Sequence, residues 1–585
     1  MLQRQSIGRG FWYLLMAVLA VAFSGTCACW ERGRDGKGMG LERSGVDPRA
    51  GDGGMEEVRG SDSLPSGLMR SPGDPGPTDV VFKVHGRREM RAISPYIYGV
   101  NIHCDWQGEV SSPGMVRMGG NRWTAYNWTN NASNAGSDFN HQNDGWLGGG
   151  DTPGEAVRKG VLAAHEAGAA ALVTIPITGR VAADKRGDGD VAKSGEHFLD
   201  TRFAASLPRK GGAFSYPPRL QGAVYQDEMI HWLERQCPHD GRGSPPLFYA
   251  LDNEPALWAV THPRIRPEPV TYSELIERSI LYARAIKDVS PTGLVFGPVS
   301  YGWLGFTSLQ NASDARGRDF LGAYLSAMRR AGEEDGRRLL DVLTVHWYPE
   351  ALGGRERITA QSTEPAVVKA RVQAPRSLWD PRYMEDSWIA RRALWGPIRL
   401  LPRLFGRIRE HYPGTKLAIT EYYYGGGGHI SGGIAQADVL GIFGREGVYA
   451  AAVWTFGKGD VRYVFGALNM YRDFDGAGGR FGDTSVQATT SDHVRTSVYA
   501  SIDEEASGRM VILALNKDDE AVEVGLRVTH DIPYEKARVF RLSDGSPEPR
   551  AMGSIRPVAE NAFRFELPPM TVTTLELRVA DGEEL

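Results

Sequence analysis

The 585-residue sequence has few cysteines, a small net charge and few long apolar runs, and each shortage excludes a class of protein. It contains four cysteines, two of them within the first thirty residues, so a disulfide-rich scaffold is excluded. The other two, Cys104 and Cys237, are either one disulfide or two separate thiols. The formal net charge is −4, which lacks the basic excess of a nucleic-acid-binding protein. Beyond residue 23, no apolar run is long enough for a membrane helix.

The one long apolar run lies at the N-terminus and has the composition of a secretory signal. Apolar residues 11–23 follow two arginines and precede small residues that end at Cys27. A charged start, a short apolar core and a zone of small residues are typical of a signal peptide. We therefore expect residues 1–29 to be a signal peptide and the protein to be secreted or extracellular. A cell-surface lipoprotein, with Cys27 or Cys29 lipidated, stays open and is the one membrane attachment that the sequence suggests.

Composition divides the rest of the chain into parts. Residues 30–78 are rich in glycine and proline, which predicts a disordered tether. Residues 93–478 alternate between strand and helix patterns, which predicts an α/β fold, a (β/α)8 TIM barrel. Short strands split by turn residues predict an all-β sandwich over residues 479–581. A strand in residues 79–92 lacks a neighbour before the barrel, and we expect it to join the sandwich.

Eight short apolar runs are candidates for the barrel strands, and six helical patterns lie between or after them. The strand candidates are residues 97–102, 115–118, 171–177, 247–251, 294–298, 342–346, 417–420 and 451–455. The helical patterns span residues 154–167, 226–236, 272–289, 320–330, 398–411 and 434–443. In such a barrel, catalytic residues sit at the C-terminal ends of the strands.

Two of these runs are followed by a glutamate. Glu254 follows the fourth run and Glu421 follows the seventh. Because the strand ends meet at one face of a barrel, we expect both carboxylates in one site. Retaining glycosidases use such a pair, with the carboxyl groups about 5–5.5 Å apart: one protonates the departing oxygen while the other attacks the anomeric carbon. We also expect the tyrosines at 422–424 to hydrogen-bond the Glu421 carboxylate.

Other runs end in polar or aromatic residues. His346 ends the sixth run and is expected to orient a carboxylate or a sugar hydroxyl. Trp347 is expected to stack on a sugar, with packing in the barrel rim as the alternative. Trp454 ends the eighth run as a candidate floor for the sugar, and Asn253 is placed to hold a sugar 2-hydroxyl.

The sequence resembles glycoside hydrolase family 44, bacterial endo-β-1,4-glucanases and xyloglucanases, over about residues 79–580. The resemblance is carried by motifs in order along the chain. They are residues 98–101 (YGVN), 117–122 (RMGGNR), 126–128 (YNW), 130–138 (NNASNAGSD), 251–255 (LDNEP), 262–264 (HPR), 345–349 (VHWYP), 378–381 (LWDP), 386–389 (DSWI), 419–422 (ITEY), 429–438 (HISGGIAQAD) and 481–484 (FGDT).

The resemblance implies a barrel with Glu254 as acid/base and Glu421 as nucleophile. The substrate-binding residues taken from it and from the strand ends are Asn121, Asn253, His346, Trp347, Tyr348, Trp388, Trp395 and Trp454. The implied activity is retaining, internal cleavage of β-1,4-glucans such as xyloglucan, soluble cellulose derivatives and mixed-linkage glucan. No organic cofactor is expected, and the protein is expected to be a monomer.

Two alternatives and one metal question stay open. The substrate is alternatively another β-1,4-polysaccharide, mannan or xylan. A carbohydrate-binding scaffold without turnover is the alternative from another class, although both glutamates are present. A structural calcium ion is the one metal that the resemblance suggests, and its ligands are unknown. Asp184, Asp188 and Asp190 are spaced somewhat like a calcium loop, but Arg186 stands where a ligand is expected, which favours a solvated loop.

Overall fold

The structure, a computed structural model, describes residues 69–218, 222–237, 244–455, 459–503 and 508–579. The predicted signal peptide and residues 30–68 of the predicted tether lie outside the described residues. Across the described ranges, no helix is both long enough and apolar enough to cross a membrane.

Eight parallel strands close into a barrel, which confirms the predicted fold. In chain order they are β1 (Gly99–Asn101), β2 (Met115–Met118), β3 (Ala170–Ile175), β4 (Leu247–Leu251), β5 (Leu294–Tyr301), β6 (Val342–Trp347), β7 (Lys416–Tyr422) and β8 (Ala450–Val453). Each strand pairs with the next along the chain, and β8 pairs with β1. Nearly every position is buried, as expected of parallel strands covered on both faces.

Helices cover the outside of the barrel. The longer ones are Glu155–Glu166, Gln226–Gln236, Tyr272–Val289, Phe320–Glu334, Leu400–His411, Ile430–Glu446 and Arg462–Arg472. All but Arg462–Arg472 overlap a predicted helical pattern. Tyr272–Val289 shows why the pattern worked: the Thr271 side chain accepts a hydrogen bond from the Glu274 amide at its start, and an apolar stripe faces the barrel.

Shorter elements lie in the connections. The short helical segments are Pro95–Tyr98, Asn121–Thr124, Gly136–Asp138, Val191–Ser194, Phe198–Thr201, Pro255–Leu257, Trp258–Thr261, Gly302–Ser308, Pro365–Gln373, Ala374–Leu378 and Ile389–Leu394. The short strands are Arg91–Ala92, Ser133–Asn134, Asn143–Asp144, Arg180–Ala182, Phe203–Leu207, Ala223–Tyr225, Leu352–Gly353 and Glu356–Arg357.

The β-sandwich is built from both ends of the described chain. Its strands are Val80–His85, Thr484–Thr490, Thr496–Ile502, Arg509–Asn516, Val522–Thr529, Lys536–Ser543, Ser546–Ile555, Ala562–Leu567 and Thr571–Arg578. Val80–His85 pairs antiparallel with Thr484–Thr490 and parallel with Val522–Thr529. The expectation that the segment before the barrel joins the sandwich is therefore confirmed.

The chain contacts the sandwich from Arg70 onward, within the predicted tether of residues 30–78. The main chain of Arg70 pairs with His530, and the Gly73 amide donates a 2.7 Å hydrogen bond to the Glu560 carbonyl. Residues 69–78 therefore lie against the sandwich, and the tether boundary at residue 78 is wrong for them. Main-chain hydrogen bonds hold this segment, together with ion pairs of Arg70 with Glu560 and of Asp74 with Arg527. Hydrophobic patterning registers neither kind of contact.

The barrel and the sandwich meet along helix Ile430–Glu446. The Tyr499 hydroxyl donates a 2.6 Å hydrogen bond to Asp438, and Lys517 Nζ lies 3.8 Å from the other Asp438 oxygen. All three side chains are buried. Elsewhere in the barrel, Cys104 and Cys237 are buried free thiols, so the disulfide alternative is excluded.

Candidate active site

Glu254 and Glu421 lie together at the C-terminal end of the barrel strands. Glu254 follows β4, and Glu421 lies near the end of β7. One oxygen of each carboxylate lies within 4.8 Å of the other, and both lie within that distance of a His346 nitrogen. Inverting glycosidases need about 6.5–9.5 Å between their carboxyl groups to admit a water molecule. The observed spacing suits direct attack by one carboxylate.

His346 lies one residue before the end of β6, between the two carboxylates. Its Nδ1 is 2.7 Å from Glu254 Oε1 and 3.4 Å from Glu421 Oε2. Burial, and then the Arg117 charge, hold the pKa of His346 well below its ordinary value. The ring is therefore neutral, and it orients Glu254 without a positive charge that would hold that carboxyl ionised.

The two carboxyl groups have unlike surroundings. Burial and then the negative charge of Glu421 raise the pKa of Glu254 well above its ordinary value, which suits a general acid. Glu421 accepts hydrogen bonds from Arg117 Nη1 at 2.6 Å and from the Tyr348 hydroxyl at 2.8 Å. A cation and a hydroxyl donor are the partners of a carboxylate anion.

Arg117, on β2, is a site residue that the sequence analysis missed. Its guanidinium is fully buried, and besides Glu421 it donates to Asn101 Oδ1 at 3.0 Å and to Asn253 Oδ1 at 2.7 Å. A buried charge needs a partner of opposite charge. A lone arginine inside the apolar run 115–118 is the signal that could have found it.

Tyr348, rather than the tyrosine next in the chain, supplies the hydroxyl on Glu421. Tyr422 instead accepts a 2.8 Å hydrogen bond from Gln436 Nε2. Successive side chains of a strand point to opposite faces, so Tyr422 points away from its neighbour's carboxylate. The expectation drawn for the tyrosines at 422–424 is therefore wrong for Tyr422.

Asp252 holds the turn that carries Glu254, and it too was missed. Its fully buried carboxylate accepts hydrogen bonds from Thr124 Oγ1 at 2.7 Å and from the Ile177 amide at 2.6 Å, among others. Asp252 and Glu254 have φ values of 68° and 45°. Such left-handed conformations cost of order 1–3 kcal/mol and need support from surrounding contacts. Burial raises the pKa of Asp252 to about 6.

The two asparagines lie beside the carboxylates. Asn253 Nδ2 donates to Asn121 Oδ1 at 3.3 Å, and Asn121 Nδ2 donates to Asp138 Oδ1 at 2.8 Å. Gly120 donates its amide to Asn253 Oδ1 at 3.3 Å. A Cβ on Gly120 would come within 2.5 Å of the Trp454 ring, and the φ angle of Gly120 is 92°. Glycine thus lets Trp454 lie close to these amides.

Comparison with known proteins identifies the family. The sequence profile of glycoside hydrolase family 44 matches residues 132–351. Endoglucanase A of Paenibacillus lautus is 40% identical over 527 residues, 87% of this chain and 73% of that protein. The chain belongs to glycoside hydrolase family 44. A solved family 44 xyloglucanase of Paenibacillus polymyxa, with xyloglucan, is 40% identical with a TM-score of 0.81, covering 86% of this chain and all of that one.

A third relative combines two activities in its name. Beta-mannanase/endoglucanase A of Caldicellulosiruptor saccharolyticus is 41% identical over 510 residues, which are 81% of this chain and 37% of that protein. Together with the family 44 membership, these similarities show that the protein is a glycoside hydrolase.

Three other tryptophans were predicted to bind substrate, and their surroundings differ from those of Trp454. Trp347 is 2% exposed and stacks on Phe306 with ring centroids 6.4 Å apart, which favours packing in the barrel rim over a sugar-stacking platform. Trp388 is half-buried and Trp395 is 81% exposed. These two flank the π-helical turn Ile389–Leu394 between β6 and β7.

The acidic loop considered for calcium does not fit a cation. Asp184 Oδ2 and Asp188 Oδ1 each bind the buried Arg202 guanidinium at 2.7 Å. Asp190 binds Arg264 at 2.7 Å. Arginine guanidinium groups already neutralise these carboxylates. The loop is therefore held by ion pairs within the protein, rather than being the solvated loop that the sequence favoured. Among the described residues, three metal-binding side chains converge only at Glu254, His346 and Glu421.

Proposed function

We propose that the protein is a retaining endo-glycanase that cleaves internal β-1,4-glucosidic bonds of β-glucans. Xyloglucan, soluble cellulose derivatives and mixed-linkage glucan are the proposed substrates. The single observation that carries the proposal is the close carboxyl pair, one member with a raised pKa and the other bound by a cation. The names of the Paenibacillus relatives support the glucan backbone.

In the proposed mechanism, each carboxyl has one role per step. A Glu421 oxygen attacks the anomeric carbon while Glu254 transfers its proton to the departing glycosidic oxygen. The bond to the leaving chain breaks, and a glycosyl ester on Glu421 forms. Glu254, now ionised, takes a proton from a water molecule that attacks the same carbon. The ester breaks, Glu421 is restored as a carboxylate, and the product keeps its β configuration.

Azide rescue separates the two roles. With an aryl β-cellobioside, a Glu254→Ala variant should hydrolyse the glycosyl ester slowly, and azide should accelerate it and yield the β-glycosyl azide. A Glu421→Gly variant should give the α-glycosyl azide, because azide then replaces the nucleophile directly. Product anomers are read by NMR. The opposite pairing of variants and anomers would contradict the assignment.

A panel of polysaccharides tests the substrate. Xyloglucan, carboxymethyl cellulose and mixed-linkage glucan should release reducing ends and lose viscosity rapidly, as internal cleavage requires. Turnover of a mannan or a xylan faster than all three glucans would overturn the glucan assignment. Activity should survive dialysis against a chelator, because the two carboxyl groups supply the chemistry without a cofactor.

We also propose that the protein acts outside the cell. The support is the N-terminal sequence, a charged start followed by an apolar core and small residues. N-terminal sequencing of protein recovered after expression in a bacterial host tests this. A soluble product starting near residue 30 supports secretion, and a lipid-blocked cysteine supports a surface lipoprotein. An intact Met1 would contradict both. Size-exclusion chromatography should show a monomer.

A further inference from the structure

Trp146 is an exposed tryptophan that is nevertheless held in place. Its side chain is 56% exposed. Its amide donates to Asp144 Oδ1 at 3.0 Å, and the Arg122 guanidinium lies 4.9 Å from its ring centroid. Arg122 in turn binds Asp144 Oδ1 at 2.5 Å. A cation–π contact and an ion pair thus fix a large apolar surface that remains open to solvent.

The ring also belongs to a row of aromatic side chains whose inner end, Trp454, lies against Gly120 in the site. The centroid of Trp146 lies 4.8 Å from the His103 ring, and that ring lies 6.1 Å from Trp454. Trp454 lies against Gly120, whose amide binds the Asn253 side chain next to Glu254. The row therefore leads from the bond-breaking centre outward to an exposed ring.

The charges along this row are balanced. Arg122 is neutralised by Asp144, and burial, followed by the charges of Arg122 and Arg117, lowers the pKa of His103 to about 4. Trp123 Nε1 donates to His103 Nε2 at 3.3 Å, which fixes the imidazole. An uncharged, flat and fixed surface suits a neutral sugar ring better than it suits a charged ligand.

We propose that Trp146 is a sugar-stacking residue of the cleft, beyond Trp454, that binds a glucosyl unit distant from the bond being cut. This inference rests on the proposed glucan-cleaving function. A ring that is already immobilised loses little conformational freedom on binding. Trp146 thereby favours long chains over short ones, as an enzyme that cuts internally requires.

Binding to an inactivated enzyme tests the proposal. In a Glu254→Gln background, calorimetric titration compares cellohexaose with cellotriose bound across the cleavage point. Adding Trp146→Ala should weaken cellohexaose binding roughly tenfold, as expected for loss of an aromatic contact, and should leave cellotriose binding within about twofold. Trp146→Phe, which keeps a flat ring, should retain most of the cellohexaose affinity and controls for folding.

The outcomes separate the inference from the function beneath it. Equal cellohexaose affinity with and without Trp146 overturns the stacking role alone, since the parent still binds glucan. A parent that binds neither oligosaccharide overturns the glucan assignment and this inference together. Equal losses for both oligosaccharides in Trp146→Ala and Trp146→Phe would show a structural role and also overturn the proposal. Met552→Ala, at an exposed position on the sandwich, serves as the unrelated control.

Discussion

At the residue scale, two glutamates take different roles in one reaction because their surroundings differ. Glu254 is buried beside a neutral histidine, and burial together with the Glu421 charge raises its pKa. Glu421 faces the Arg117 guanidinium and the Tyr348 hydroxyl instead. Such a division lets one group be an acid and the other a nucleophile at the same pH.

The pKa of Glu254 should fall when its neighbour loses its charge. In a Glu421→Gln variant the repulsion that favours the protonated form is gone, while burial remains. We therefore expect the pKa of Glu254 to decrease but to stay above its ordinary value, as followed by 13C NMR titration of labelled glutamate. An unchanged pKa would mean that burial alone raises it. In the parent, kcat/KM should fall as pH rises through the raised pKa, because ionised Glu254 cannot donate a proton.

The Tyr348 hydroxyl should matter for turnover. A Tyr348→Phe variant removes one of the two donors to Glu421, and a hydrogen bond to a charged group contributes about 1.5–3 kcal/mol. We expect kcat to decrease about tenfold or more, measured by reducing-sugar release at saturating glucan. Tyr422→Phe is the matched control, since that hydroxyl binds Gln436 on the other face of the strand. Equal losses in both variants would contradict the assigned contact.

At the element scale, the barrel strands show what sequence can predict. Parallel strands covered on both sides appear as short, continuous apolar runs, and all eight overlapped the predictions. Helix Arg462–Arg472 and the segment at residues 69–78 were not found. The first is a buried helix following a glycine-rich stretch. The second is held by main-chain hydrogen bonds and by ion pairs to residues more than 400 positions away, which local sequence does not show.

The turn after β4 should depend on Asp252. In an Asp252→Asn variant, an amide NH2 replaces one oxygen that faces buried donors, and an unsatisfied buried group costs about 1–3 kcal/mol. We expect lower kcat as well as a lower Tm, because the left-handed conformation of Glu254 loses its support. Asp341→Asn is the control: Asp341 precedes β6 at the opposite end of the barrel and accepts from Val295. It should lower Tm while leaving kcat nearly unchanged.

Site residues were predictable where they end a strand and were missed where they support another residue. Glu254, Glu421 and His346 occupy strand ends, a position with a general meaning in barrels. Arg117 acts on a residue 304 positions away and on another 136 positions away. Only folding brings these partners together, so a supporting role is visible in the structure rather than in local sequence.

At the scale of the whole molecule, one buried group ties the barrel to the sandwich. An Asp438→Ala variant would leave the Lys517 ammonium buried without its anion and remove the partner of the Tyr499 hydroxyl. Breaking a buried pair costs about 3–5 kcal/mol, so we expect a clearly lower Tm by calorimetry. Adding Lys517→Met should restore part of the loss. A double variant no more stable than Asp438→Ala would show that the pair does not interact.

The placement of strand Val80–His85 has a consequence for synthesis on the ribosome. The strand emerges before the barrel, but its partners Thr484–Thr490 and Val522–Thr529 are made only after the barrel is complete. Until then both of its edges stay unpaired, and open strand edges promote association with other chains. A prematurely terminated product would contain the whole catalytic centre and still be prone to aggregate. We therefore expect an incomplete chain to be lost to association with other chains even where its catalytic residues are all present.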